Sequence, residues 1–193
     1  MNPLLSILIP TIPSRVCTKL PSLIKELERQ IDEDGDESVE LLCLYDNKWM
    51  KTGAKRNAMT FIAHGDYVVF IDDDDWISPL YTKMILDAIR YNPGVDVIHF
   101  PIEHTTNGEN HKHCEYGLTF DYKNEPPRWW GKPTHTHLWR REIVDSCRFP
   151  DSKMEGEDVD WVAQACALAK TEHRINEVLY FYRWVPGLSE ARD

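Results

Sequence analysis

The chain has 193 residues, 42% hydrophobic and 28% charged. That is enough for one domain with a substantial core, in proportions ordinary for a soluble globular protein. Its formal net charge of −10 is opposite to that of a general polyanion binder, which disfavours nucleic acid as a partner. No apolar stretch approaches the ~20 residues that span a bilayer.

Leu4–Ile9 predicts a first strand. The opening segment has no basic leader or small-residue cleavage site, so it is not read as a signal peptide. Leu20, Leu23, Ile24, Leu27 and Ile31 recur at helical spacing and predict an amphipathic helix over 19–30, followed by an acidic solvated loop from Asp32 to Glu37. Val39–Tyr45 reads as a second strand, 54–63 as a helix behind Gly53, and Tyr67–Ile71 as a third, buried strand. Ser78-Pro79 has the form of an N-cap followed by proline, opening a helix to about Tyr91. Val95–Phe100 is a fourth strand.

Strands alternating with helices over the first hundred residues predict an α/β fold with a Rossmann-type, mostly parallel sheet flanked by helices. From Glu103 to Pro133 the chain turns polar and aromatic, with an Asn107-Gly108 turn signal and a Pro126-Pro127 break, as expected of a smaller mixed region. Tyr116–Tyr122 is a candidate hairpin strand. Helical patterning returns over 141–146 and 157–169, and Val178–Trp184 is a last strand. The five scattered cysteines form no CxxC, which suits reduced thiols and a cytoplasmic location.

The third strand runs straight into Asp72-Asp73-Asp74-Asp75. Four adjacent carboxylates repel one another and raise each other's pKa unless a cation is present. Hard cations such as Mg²⁺ or Mn²⁺ take such oxygens together with substrate phosphates. Open α/β sheets bind ligands beyond the carboxyl ends of their strands. There the first strand brings Pro10, Thr11 and Arg15, the second Asp46, and the third the four aspartates. Gly156-Glu157-Asp158 opens a later helix. Together these are the parts needed to hold a nucleoside diphosphate and its counter-ion.

On these segments the chain resembles the family 2 glycosyltransferases of the GT-A fold. The resemblance is carried by Ser6–Thr11, Gly53–Asn57, Val69–Ile77, Trp139–Glu142, Arg148-Phe149-Pro150 before Glu157-Asp158, and Tyr182-Arg183. It implies one GT-A-like domain over 1–193, with a nucleotide-sugar half (1–100) and an acceptor and catalytic-base half (101–193). Pro10, Thr11 and Arg15 would line the nucleotide pocket and Asp46 would read the base, usually uracil. Lys55, Arg56 and Asn57 would lie along the nucleotide.

The acidic run permits two Asp-x-Asp registers, Asp72 with Asp74 or Asp73 with Asp75. On an extended segment only one pair would face the crevice. The resemblance favours Asp74 on the ribose and beside the metal, Asp75 on the metal, and Asp72 in support. The implied reaction is inverting, metal-dependent transfer from a nucleotide sugar, a UDP-sugar above all, to an acceptor hydroxyl. Asp158 is then the general base, with Glu157 as the alternative. The histidine that many relatives carry shortly after the Tyr-Arg pair is missing, and His135 and His137 are the weak substitutes.

Other signals carry less. His104, His111, His113, His135, His137 and Cys114 match no structural zinc spacing. Trp161 reads as core, whereas Trp129-Trp130 is either an acceptor platform or a loop anchor. Two rival functions stay open: a non-catalytic nucleotide-sugar or carbohydrate-binding module, and a nucleotidyltransferase. The second would call for a glycine-rich loop that Thr11–Arg15 lacks. The acceptor is a carbohydrate, a lipid-linked molecule or another hydroxyl compound. Modified DNA is disfavoured by charge, although Arg128, Lys132, Arg140 and Arg141 offer a local basic edge.

Overall fold

The computed structural model describes residues 2–34, 38–151 and 156–185. Strand β1 (Leu5–Thr11) is buried at every position. Its one early polar residue, Ser6, donates to Glu40 at 2.6 Å and accepts the Gly65 N–H at 2.7 Å, so burying the hydroxyl leaves no unpaired atom. Helix α1 (Leu20–Asp34) sinks Leu20, Leu23 and Leu27 into the core. It runs longer than its apolar periodicity: Asp32–Asp34, expected in a loop, form its last turn. Arg29 supports that turn by pairing with Glu26 and Glu33, one turn away on either side. The remainder of the expected acidic loop, 35–37, lies outside the described residues.

Strand β2 (Val39–Tyr45) and β3 (Tyr67–Phe70) flank β1 in parallel, joined by α2 (Thr52–Ile62). A Cβ at Gly53 would stand 2.4 Å from the Pro150 carbonyl oxygen, so only glycine lets α2 approach the 149–150 segment this closely. A short β4 (Trp76–Ile77) precedes α3 (Tyr81–Tyr91). Ser78-Pro79 is not its cap. The Ser78 carbonyl accepts the Tyr81 N–H at 3.0 Å and its hydroxyl the Leu80 N–H at 3.3 Å, which makes the segment a turn leading into the helix.

Beyond β5 (Val97–His99) the chain forms a hairpin, β6 (Ile102–Thr106) and β7 (Glu109–Tyr116), closed by Asn107 and Gly108 at φ 53° and 78°. Positive φ at both central residues is what an Asn-Gly hairpin turn requires. The strand expected over 116–122 is instead the end of β7 followed by a turn, in which the Phe120 N–H bonds the Gly117 carbonyl at 3.1 Å.

Strands β8 (Lys123–Glu125), β9 (Arg128–Gly131) and β10 (Leu138–Arg140) follow, then α4 (Arg141–Asp145), α5 (Glu157–Leu168), β11 (Glu172–Arg174) and β12 (Tyr180–Trp184). One six-stranded sheet has the order β11-β5-β10-β3-β1-β2 and is parallel except for β10. A second, mixed sheet has the order β4-β12-β6-β7-β9-β8. One side of the first sheet packs Leu5, Ile7 and Ile9 with α1 and α3, in a cluster that continues to Ile102, Tyr116 and Tyr180 of the second sheet. The other side packs Leu8, Val68 and Phe70 against Met59, Trp139, Phe149, Trp161 and Ala165. This is a mixed α/β architecture with a mostly parallel first sheet, as the alternation of strands and helices predicts. Among the described residues no helix is long and apolar enough to cross a membrane, and all five cysteines are free thiols.

Candidate active site

Strands β1, β2 and β3 run parallel and in register, so their carboxyl ends open side by side. Lys55, 1% exposed, ties the first two together from below. Its ammonium donates to the Thr11 carbonyl at 2.7 Å and pairs with Asp46 at 2.6 Å. Asp46 also takes the Met50 N–H at 2.6 Å. Burial would raise this carboxyl, but Lys55 and the backbone donors outweigh it and hold its pKa low.

The four aspartates do not continue the strand. The Asp75 N–H bonds the Asp72 carbonyl at 3.1 Å, which closes a four-residue turn. Strand alternation therefore cannot select the Asp-x-Asp register, and each carboxylate takes its own direction. Asp73, almost fully buried, accepts the Thr11 hydroxyl at 2.5 Å and Arg15 at 2.8 Å. Asp74 pairs with the same guanidinium at 2.9 Å. Asp72 pairs with Arg56 at 2.8 Å. Asp75 accepts the Tyr180 hydroxyl at 2.7 Å and the Arg183 N–H at 2.8 Å, while the Asp72 N–H bonds the same hydroxyl at 3.1 Å. Tyr180 thus pins both ends of the turn to β12.

This crowding has electrostatic consequences. Burial, opposed by Arg15 but joined by the charges of Asp72 and Asp73, raises the Asp74 carboxyl to about 6. Burial and the Asp72 charge push Asp75 well above the usual carboxylate range. Asp72 goes the other way: burial would raise it, but the Arg56 guanidinium and then His135 outweigh burial and hold it well below that range. Burial, joined by the neighbouring carboxylates, thus opposes ionisation of Asp74 and Asp75.

Gly156, with φ 73°, caps α5 and delivers Glu157 and Asp158 to the same crevice. Arg56, 4% exposed, bonds Glu157 at 2.7 Å through one amino group and Asp72 through the other. Its Cζ lies 5.7 Å from the Phe70 ring centroid and 5.5 Å from that of Phe149. Asp158 is open, its side chain 37% exposed. Asn57 turns to the neighbouring segment: its amide donates to the Phe149 carbonyl and to Asp151, and accepts the Phe149 N–H. In this structure Lys55, Arg56 and Asn57 therefore all spend their side chains on the protein itself.

Tyr180 was not singled out from the sequence, Asp73 only as one member of an alternative register, and Tyr182 only within the Tyr182-Arg183 pair. Asp73 and Tyr180 organise the acidic turn. Tyr182 faces the carboxylates, since burial and then the charges of Asp75, Asp72, Asp74 and Asp158 push its phenol well up. Its ring stacks on His104 with centroids 4.6 Å apart. Alternation along β12 was the available signal, because Tyr180 and Tyr182 share one face.

The candidate histidines separate. His135 stands in the crevice, whereas His137 is buried between Thr134 and Phe100. His113 lies between Glu103 and Glu115. Trp161 is core, stacked on Phe149. Trp129 packs on Tyr116 and Tyr122, and Lys123 lies over Trp130.

The model of the family "Glycosyl transferase family 2" matches residues 20–148. A Bacillus subtilis (strain 168) protein named "Putative glycosyltransferase EpsH" is 26% identical over 144 residues, which is 68% of this chain and 41% of that protein. The crystal structure of S. aureus TarS 1-349 superposes with a TM-score of 0.66 at 19% identity, covering 95% of this chain and 60% of TarS 1-349. The same TarS fragment in complex with UDP-GlcNAc gives a TM-score of 0.67 at 17% identity, covering 97% and 60%. The chain spans less than two thirds of the length of each of these relatives. With the family model covering more than half of the chain, this protein belongs to glycosyltransferase family 2.

Proposed function

We propose that this protein transfers a sugar from a nucleoside diphosphate sugar, a UDP-sugar, to an acceptor hydroxyl with inversion. The observation that carries this reading is the convergence of the three parallel strand ends and the α5 acid pair on one crevice, tied together by Arg56 between Asp72 and Glu157. The relative crystallised with UDP-GlcNAc supports the donor class. The first hundred residues would form the donor side and residues 101–193 the acceptor side, with strands exchanged between the two sheets.

Pro10, Thr11, Arg15 and Asp46 are assigned to the nucleotide, with Asp46 on the base. Lys55 and Arg56 set that wall from beneath, and Asn57 anchors the adjoining 149–151 segment. Asp72 and Asp74 face the ribose and phosphate. Asp158 takes the acceptor proton as the hydroxyl oxygen attacks the anomeric carbon. The bond from that carbon to the diphosphate oxygen breaks, and its electron pair leaves with the nucleotide. Glu157, held by Arg56, is less free to serve as base.

The donor chemistry fits a divalent cation, Mn²⁺ or Mg²⁺. Asp74 and Asp75 are hard oxygen ligands, and burial first, then the charges of neighbouring aspartates, raises the pKa of both. Among the described residues no three His, Cys, Asp or Glu side chains form a ready-made cage, so such an ion would have to be held by one or two carboxylates together with substrate phosphates. When bound, such an ion offsets charge on the departing diphosphate.

A DNA acceptor is weakened as an alternative. Arg140 pairs with Asp96, and Arg141 donates to the Gly65 and Thr60 carbonyls, so the basic edge is largely spent within the fold. The test is Asp158→Asn, assayed for sugar transfer and for UDP binding. Transfer should fall by about two orders of magnitude or more with UDP affinity kept. Full turnover in the variant would reject the base assignment. Intact UDP binding by a wild-type protein that never turns over would favour a binding module.

A further inference from the structure

His135 is 7% exposed, and neither of its ring nitrogens has a hydrogen-bond partner among the described residues. Buried polar groups without partners are uncommon. The neighbouring His137 shows how an ordinary core histidine is settled here. Its Nδ1 accepts the Thr134 N–H at 2.8 Å, and its Nε2 lies 3.1 Å from the Phe100 carbonyl oxygen as donor. His135 is aimed differently. Nδ1 stands 3.8 Å from an Asp158 carboxylate oxygen and Nε2 stands 3.8 Å from an Asp72 oxygen. The ring is steadied by Phe70 and Phe149, with centroids at 6.2 Å and 6.4 Å. Its backbone is fixed as well, because the His135 carbonyl accepts the Phe70 N–H at 3.2 Å.

We propose that His135 is a positioning residue for Asp158: its ring, with an N–H on each nitrogen, bridges Asp72 and Asp158 and holds the Asp158 carboxylate toward the acceptor hydroxyl. This rests on the reading of the crevice as a sugar-transfer site. The two gaps exceed hydrogen-bond length by about 1 Å; when a donor fills the crevice, rotation of Asp158, the more exposed partner, can close the gap to Nδ1, and a small turn of the Asp72 carboxylate the gap to Nε2. The bridge also couples the halves of the site. Asp72 belongs to the turn that faces the donor, and Asp158 belongs to the helix that meets the acceptor. Arg56 makes a parallel connection from Asp72 to Glu157, so the two acids of α5 are each referred to the same carboxylate by a different cationic or donor side chain.

Three variants separate this role from packing. His135→Phe fills the space beside Phe70 and Phe149 and removes both nitrogens. His135→Asn keeps an amide donor where Nδ1 faces Asp158, and His135→Gln keeps one where Nε2 faces Asp72. UDP affinity and donor KM should stay within about threefold of wild type in all three, because the effect falls on the chemical step. The kcat should drop by about tenfold or more in His135→Phe, and His135→Asn should retain several-fold more than His135→Gln. A His135→Phe protein with kcat within twofold of wild type would overturn the proposal, and so would an Asn variant no faster than the Gln variant. A wild-type protein that binds UDP but transfers no sugar would instead overturn the underlying reading, and the positioning role with it.

Discussion

Arg56 donates to Glu157 at 2.7 Å from a position 4% exposed, and this contact joins α2 to the start of α5 across 101 residues of sequence. The second amino group of Arg56 reaches Asp72, so one buried cation is shared by the acidic turn and the helix that carries the proposed base.

Arg56→Met should therefore do more than remove a charge. It leaves two buried or half-buried carboxylates without their cation, a loss of about 3–5 kcal/mol. For a chain of this size that corresponds to a fall in melting temperature of about 10 °C. Arg56→Met combined with Glu157→Gln should recover part of the loss in a double-mutant cycle. Purely additive losses would show that the two side chains do not interact.

Asp74 is expected to trade stability for ligand binding. Burial raises its carboxyl to about 6, above an unfolded-state value of about 3.9. The folded protein therefore binds the proton more tightly, and ionised Asp74 costs stability, a cost that grows as pH rises through that window and persists above it. Asp74→Asn should melt a few degrees higher than wild type at about pH 7.5 and match it near pH 4, while losing Mn²⁺-dependent UDP binding. Thermal unfolding at the two pH values checks this. A variant less stable at the higher pH would mean that the pairing of Asp74 with Arg15 outweighs the repulsion.

His137 has the opposite linkage. Burial, then the nearby His99, lower its pKa to about 3. The unfolded chain binds the proton more tightly, so the neutral ring adds stability that is present above about pH 6.5 and is lost as pH falls toward 3. His137→Gln should cost stability at pH 7 by breaking the bonds to Thr134 and Phe100. Its stability should also decline less steeply than that of wild type between about pH 6.5 and 4. Urea unfolding of both proteins across that range measures the difference, and parallel curves would refute it.

Much of this site was legible in the sequence because it depends on where strands end. Apolar runs fix β1, β2 and β3, and the polar residues that follow them must then emerge along one edge. The hairpin at Asn107-Gly108 was readable for a similar local reason. The second sheet was not, since β8 and β9 are short and polar or aromatic, and their pairing follows from long-range packing, with no period of their own. Strand β10 hid in three residues, Leu138–Arg140, and only its insertion between β3 and β5 reveals it. The roles within the acidic run were hidden too, because a turn at Asp72–Asp75 distributes carboxylates by partner and not by alternation. Asn57 lies beside Arg56 in sequence, but one residue along a helix turns a side chain by about 100°, which carries its amide to the Phe149–Asp151 segment.

The decisive measurement is thermal unfolding of the wild-type protein with UDP, GDP, CDP and dTDP, each with and without Mn²⁺. A ligand at a hundredfold its dissociation constant adds about 2.7 kcal/mol, worth about 5–10 °C here. UDP should give that shift only when Mn²⁺ is present, with smaller shifts for the other nucleotides. If no nucleotide moves the transition with or without the metal, the crevice does not bind a nucleoside diphosphate, and the proposed sugar transfer fails with it.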